Sequence, residues 1–143
     1  MTNTLVKRIE MSLHVQELCA KNDIQVKYVS LEEPEAFYCA NRVHKIITIR
    51  PTKNTGYYVS ALHEIGHLLG PDQHQGCDRM EMEIGAWKYA VAVALVWTET
   101  ATKIMKRALM SYGMKESQWE QILQESMVYA QTCKKAAELN NAA

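Results

Sequence analysis

His63 and His67 stand four residues apart, with Glu64 directly after the first, in the run Ser60-Ala61-Leu62-His63-Glu64-Ile65-Gly66-His67-Leu68-Leu69-Gly70. On an α-helix that spacing places both imidazoles on one face about one turn apart, where they can hold a single metal ion. At about 100° per residue, Tyr58, Leu62, Ile65 and Leu69 form one apolar stripe and the two histidines point away from it. The expected element is a helix with one face in the core and the other on a cleft. Gly66 lies beside the histidine face, where glycine costs about 1 kcal/mol relative to alanine in a helix interior, so something is expected to approach the backbone closely there. Gly70 and Pro71 then end the helix. The rival reading is a surface helix with two solvated histidines. Against it stand the apolar flanks at core spacing, the strand-like run before the motif and the acidic helix after it.

A catalytic zinc takes three protein ligands and keeps a fourth position for water. Asp78 can cap a helix that starts near Arg79 and is apolar nearly all round from Ala86 to Trp97. On that helix Glu83, Trp87, Ala90, Ala94 and Trp97 share one face, whereas Glu81 falls on another, near Lys88 and Glu99. A buried carboxylate is expensive unless it is paired or bound to metal, so Glu83 is the expected third ligand, and the intervening loop lets its helix fold back antiparallel on the first. Glu64, next to His63 but angled past it, would take a proton from the water and hand it to a leaving nitrogen. That chemistry is peptide hydrolysis. The alternative third ligand is His74: the metzincin pattern His-Glu-x-x-His-x-x-Gly-x-x-His has its glycine at Gly70, but its last histidine falls on Gln73, with His74 one residue further. Glu81 and Cys77 are remoter candidates. For the electrophilic helper the candidates are His44, His74 and Arg79, while Tyr58, on the apolar stripe, is expected to be structural.

The elements that must position these groups follow from the remaining pattern. Thr4 to Ala20, with Leu5, Ile9, Leu13 and Leu18, reads as an amphipathic helix closed by Asn22 in a left-handed conformation. His14 on it is expected at the surface or in a cap. Ile24 to Ser30 alternates as a strand, Ala36 to Ala40 resumes as a second after Pro34, Asn41-Arg42 makes a tight turn, and the β-branched run Val43 to Arg50 stops at Pro51. Three strands in a small antiparallel sheet are expected. The helix bearing Glu83 continues or kinks near Thr98 to Thr102 and reaches Tyr112 and Gly113. Ser117 to Glu120 matches a capping box for a last helix carrying Trp119, Ile122, Met127, Ala130 and Cys133, with its final residues frayed.

At 143 residues the chain is expected to form a single domain, 1–143, with a hydrophobic core that needs no metal to fold, so that any zinc serves function. Sixteen basic and sixteen acidic residues give no net charge and no block of one sign, so neither nucleic acid nor membrane is an expected partner. The cysteines Cys19, Cys39, Cys77 and Cys133 are scattered without C-x-x-C pairing, and the N-terminus lacks the basic and apolar regions of a signal peptide, which favours a reducing cytoplasm. The apolar run Tyr89 to Trp97 is far shorter than the ~20 residues that span a bilayer.

The run Lys45-Ile46-Ile47-Thr48-Ile49, then Leu62-His63-Glu64-Ile65-Gly66-His67, then Glu83 three residues before Ala86-Trp87, resembles the small zinc peptidases of the ImmA/IrrE type, gluzincin-like proteases of minimal fold. The likeness covers roughly Ile24 to Ala94. It implies an α+β architecture in which a three-stranded sheet packs on a zincin-type helix pair, with additional N- and C-terminal helices. It further implies zinc held by His63, His67 and Glu83, and a protein or peptide substrate such as a regulator. The family commonly reads Glu-Ala-Asn-x-Phe-Ala where this chain has Glu83-Ile84-Gly85-Ala86-Trp87, and this chain lacks the helix-turn-helix domain joined to many members. The rival from a different class is a zinc-binding interaction module without turnover. The retained Glu64 weighs against it, since a structural site needs no base and favours four closed protein ligands.

Overall fold

The structure is a computed structural model that describes residues 2–30, 32 and 38–142, with side chains from Lys7 to Asn141 among them. Among the described residues it has an α+β architecture of five α-helices and a three-stranded sheet. In order these are α1 (Thr2–Lys21), β1 (Gln25–Tyr28), β2 (Cys39–Asn41), β3 (Ile46–Ile49), α2 (Thr55–Leu69), α3 (Arg79–Val93), α4 (Glu99–Ser111) and α5 (Trp119–Ala142), the last entered through a 3-10 turn at Glu116–Gln118. Among the described residues no helix is long and apolar enough to cross a membrane.

The sheet is mixed, not antiparallel, with strand order β1-β3-β2. β1 runs parallel to β3, pairing Gln25 with Ile46 and Tyr28 with Ile49, and β2 runs antiparallel to β3, pairing Cys39 with Thr48 and Asn41 with Ile46. Chain direction still reverses at each connection, as a meander would have it, but β3 enters between its predecessors, and two strands flanking a common neighbour in this way cannot both oppose it. The physical reason is burial: β3 carries Ile47 and Ile49, both fully buried, whereas β1 and β2 are mostly exposed. The apolar strand takes the centre and the polar ones take the edges. Of the expected second strand, residues 36 and 37 lie outside the described residues. The turn before β3 is built by Asn41, whose Oδ1 accepts from the His44 N–H at 3.1 Å, with Lys45 at φ 53°.

α2 is the hub and touches α1, α3, α4, β2 and β3. Asn54 caps it, its Oδ1 accepting from the Tyr57 N–H at 2.9 Å. Tyr58, Leu62 and Ile65 are fully buried, as the stripe requires, while Leu69 is half-buried. Gly66 marks where α3 crosses: a Cβ there would lie 2.4 Å from the Ala86 carbonyl oxygen, and one on Gly85 would lie 2.0 Å from that of Pro71. Without a side chain at these two positions α3 meets α2 and the loop after it backbone to backbone.

Several local expectations change. α1 buries Met11, Val15 and Cys19 and leaves Ile9 and Leu13 about half exposed. Ile9 and Leu13 each lie two residues, about 200° on the helix, from a buried position, while Leu18 of the expected stripe packs partly buried against the core. The residue after α1 in left-handed conformation is Asp23 (φ 56°), while the Asn22 amide donates back to the Leu18 carbonyl at 2.8 Å. α3 ends at Val93, with no glycine or proline to announce it, because Thr98 starts a new helix by accepting from the Ala101 N–H at 3.2 Å. Before α5 the Lys115 N–H donates to Gln118 Oε1 at 2.9 Å, in place of a Ser117 cap. α5 buries Trp119, Ile122 and Ser126, turns Met127 to solvent and runs on to Ala142.

Candidate metal centre

α2 carries His63 and His67 over the crossing with α3, and α3 brings Glu83 beneath them. The two ring nitrogens and the carboxylate form one group of potential ligand atoms within 4.8 Å of one another. His63 Nε2 is 3.1 Å from Glu83 Oε1, and His67 Nε2 is 2.8 Å from Glu83 Oε2. Glu83 is fully buried. Burial alone would raise its pKa, but His63 and His67 outweigh this and hold it at about 2, well below the ordinary 4.5. Burial likewise opposes charge on His63, yet Glu64 and Glu83 together raise its pKa above the usual histidine value.

Two neighbours fix the imidazoles. The His63 ring stacks on Trp87, centroids 4.4 Å apart and planes at 15°, so the side chain one turn after Glu83 is the platform for the first histidine. His67 Nδ1 lies 3.1 Å from Gln73 Oε1. The Gln73 amide nitrogen donates to the carbonyls of Pro71 at 3.0 Å and Met82 at 2.6 Å, so its oxygen must be the group facing His67. His67 therefore donates from Nδ1 and turns Nε2 to Glu83 Oε2 at 2.8 Å. A ring nitrogen and a buried carboxylate oxygen sit that close when a proton or a cation is shared between them. Two imidazoles and one carboxylate, one of them oriented through its second nitrogen, are a donor set suited to a transition-metal ion. The residues present fit such an ion.

Glu64 is buried beside the group without belonging to it, its Oε1 3.5 Å from His63 Nδ1. Both line a cleft of about 280 Å³, together with β2 and its flanks, Tyr38 to Ala40 with Arg42. Arg79 lines it too: its Nε is 3.3 Å from Glu83 Oε2, its Nη2 donates to the Tyr112 hydroxyl at 3.1 Å, and its guanidinium lies 4.8 Å from the Tyr112 ring centre. Of the candidate helpers, Arg79 lines the cleft. His44 sits in the exposed turn before β3, and His74 belongs to a separate group with Asp72 and Cys77. Neither His74 nor Cys77 joins His63 and His67, and Glu81 is engaged in the α3 capping box with Asp78.

Tyr58 is locked away from the cleft. Its hydroxyl accepts from the Leu95 N–H at 3.0 Å and lies 2.6 Å from His14 Nδ1, joining α1, α2 and the segment after α3. His14 is thereby a half-buried packing partner. The sequence reading did not find Gln73, Tyr112 or the stacking role of Trp87; only the last left a signal, its shared face with Glu83. Comparison with known proteins returned no matching family model, no similar curated protein and no similar solved structure.

Proposed function

We propose that this chain is a zinc-dependent endopeptidase of the ImmA/IrrE type, acting on a protein or peptide substrate. The observation that carries the reading is the placement of Glu64: a second buried carboxylate at the mouth of the His63, His67 and Glu83 group, outside that group, facing a cleft. A site that only stores a metal has no use for it.

Zinc bound by His63, His67 and Glu83 would supply Lewis-acid polarisation of the scissile carbonyl and lower the pKa of the attacking water. Glu64 accepts the proton of that water and delivers it to the nitrogen of the leaving amine, so one C–N bond breaks as one C–O bond forms. Arg79, which lines the cleft and is held by Tyr112, would offer positive charge to the carbonyl oxygen as it becomes negative. β3 is covered on both edges, so strand addition falls to β2, whose second edge borders the cleft; main-chain hydrogen bonds there would present an extended peptide to Glu64 with little demand on its sequence.

The test separates base from ligand. Glu64→Gln keeps its shape but cannot take a proton, so metal content stays at the wild-type level while cleavage falls by at least about a hundredfold. Glu83→Gln loses activity together with the ion held by His63 and His67, whereas Glu81→Gln keeps both, and His74→Ala keeps activity and that ion. The substrate for the assay is captured by pull-down with the Glu64→Gln form and identified by its cleavage with the wild type. Normal metal retention in Glu83→Gln, or turnover in Glu64→Gln, overturns the assignment.

A further inference from the structure

We propose a second metal site on the loop between α2 and α3, formed by Asp72, His74 and Cys77, that takes zinc or another borderline-soft divalent ion. A carboxylate oxygen, a ring nitrogen and a sulfur from these residues lie within 4.8 Å of one another, as a group apart from His63, His67 and Glu83. Cys77 Sγ is 3.4 Å from His74 Nε2. With a thiolate at ~2.3 Å and an imidazole nitrogen at ~2.0–2.1 Å from one tetrahedral ion, the sulfur-to-nitrogen edge is about 3.5 Å, so the pair is already spaced for a shared metal.

The histidine tautomer suits a metal. His74 Nδ1 lies 3.0 Å from the Gln75 carbonyl oxygen, which can only accept, so Nδ1 carries the hydrogen and Nε2 is the nitrogen left to ligate. Sγ is also 3.7 Å from Nδ1, so it lies beside the ring, and the exposed side chain turns to aim Nε2 at the ion. Cys77 enters as a thiol with one hydrogen to lose. On binding, that proton leaves to solvent, and the thiolate and the imidazole take the ion together. Thiolate with imidazole and carboxylate selects zinc over magnesium or calcium. Asp72 and His74 are exposed and Cys77 is half-buried, so water completes the coordination. The site brackets Gln73, whose side chain turns inward to His67. An ion here would pin the loop that holds His67 in its metal-binding tautomer.

The proposal does not depend on peptidase activity, and sulfur gives it a signature that the first centre lacks. Full-length protein is stripped with a chelator, kept reduced with a phosphine, and titrated with Co²⁺. The expected result is two equivalents bound, with a thiolate-to-cobalt charge-transfer band in the near ultraviolet. Cys77→Ser and His74→Ala, both on an exposed loop, each lose the band and one equivalent while keeping the other. The double variant His63→Ala, His67→Ala keeps the band and loses the other equivalent. A wild type without the band, or a band that survives Cys77→Ser and so arises from another cysteine, overturns the proposal.

Discussion

Both amide donors of Gln73 are committed to backbone carbonyls, and its oxygen therefore decides which nitrogen of His67 carries the hydrogen. Partners of this kind commonly govern metal affinity by 10–100-fold. Gln73→Ala is accordingly expected to weaken zinc binding by about that factor, read by competition with a chromophoric chelator, with the fold retained by circular dichroism. An unchanged affinity would show that His67 is oriented by its helix alone. The sequence marked Gln73 only as a position where a third histidine was missing. Its role rests on the carbonyls of Pro71 and Met82, which come together only when the loop has folded, and no residue pattern announces that. That His63, His67 and Glu83 would come together was legible because their geometry is helical: His63 and His67 by spacing, Glu83 by its place on an apolar face.

At the scale of elements, the α2–α3 crossing sets the distance between imidazoles and carboxylate. Gly66 was readable as a glycine that a helix interior should not want, and the Ala86 carbonyl 2.4 Å from where its Cβ would be supplies the reason. Gly66→Ala must push the helices apart, and overpacking of this kind costs about 1–3 kcal/mol. The expected result is a lowered denaturation midpoint together with weaker metal retention, since Glu83 moves with α3. A variant that lost stability but bound zinc normally would place the hinge elsewhere. Other elements were less legible. Periodicity gave strands but not their order, because order depends on which strand the core can cover, and β3 outcompetes its neighbours only once α2 is laid across the sheet. α1 offered two apolar stripes on opposite faces, and nothing local chooses between them. The break after Val93 arises from a cap at Thr98, while every residue of the intervening stretch is compatible with helix or strand.

For the molecule as a whole, burial of neutral protic groups sets an alkaline limit. The Cys19 thiol is pushed by burial from 9.0 to about 11, and burial raises the Tyr58 hydroxyl from 10.0 to about 12 against the opposing Leu95 hydrogen bond. In each case the unfolded chain gives up its proton first. The contribution is therefore complete below pH 9 and is lost as the pH rises through 11 for Cys19 and 12 for Tyr58. Denaturant midpoints measured from pH 8 upward should fall in that range, and Cys19→Ala should flatten the earlier part of the fall; an equally steep decline in that variant would exclude Cys19 as a source. One further consequence concerns time. His63 and Glu83 are only 20 residues apart along the chain, so two consecutive helices deliver all three residues of the His63, His67 and Glu83 group, and the sheet delivers none. Closing so short a segment costs little chain entropy, and the contacts are local enough to form early. An ion bound as proposed would be captured as soon as α3 has left the ribosome, with α4 and α5 still to be made. It would then be present while the rest of the molecule folds, and no late passenger in a finished cleft.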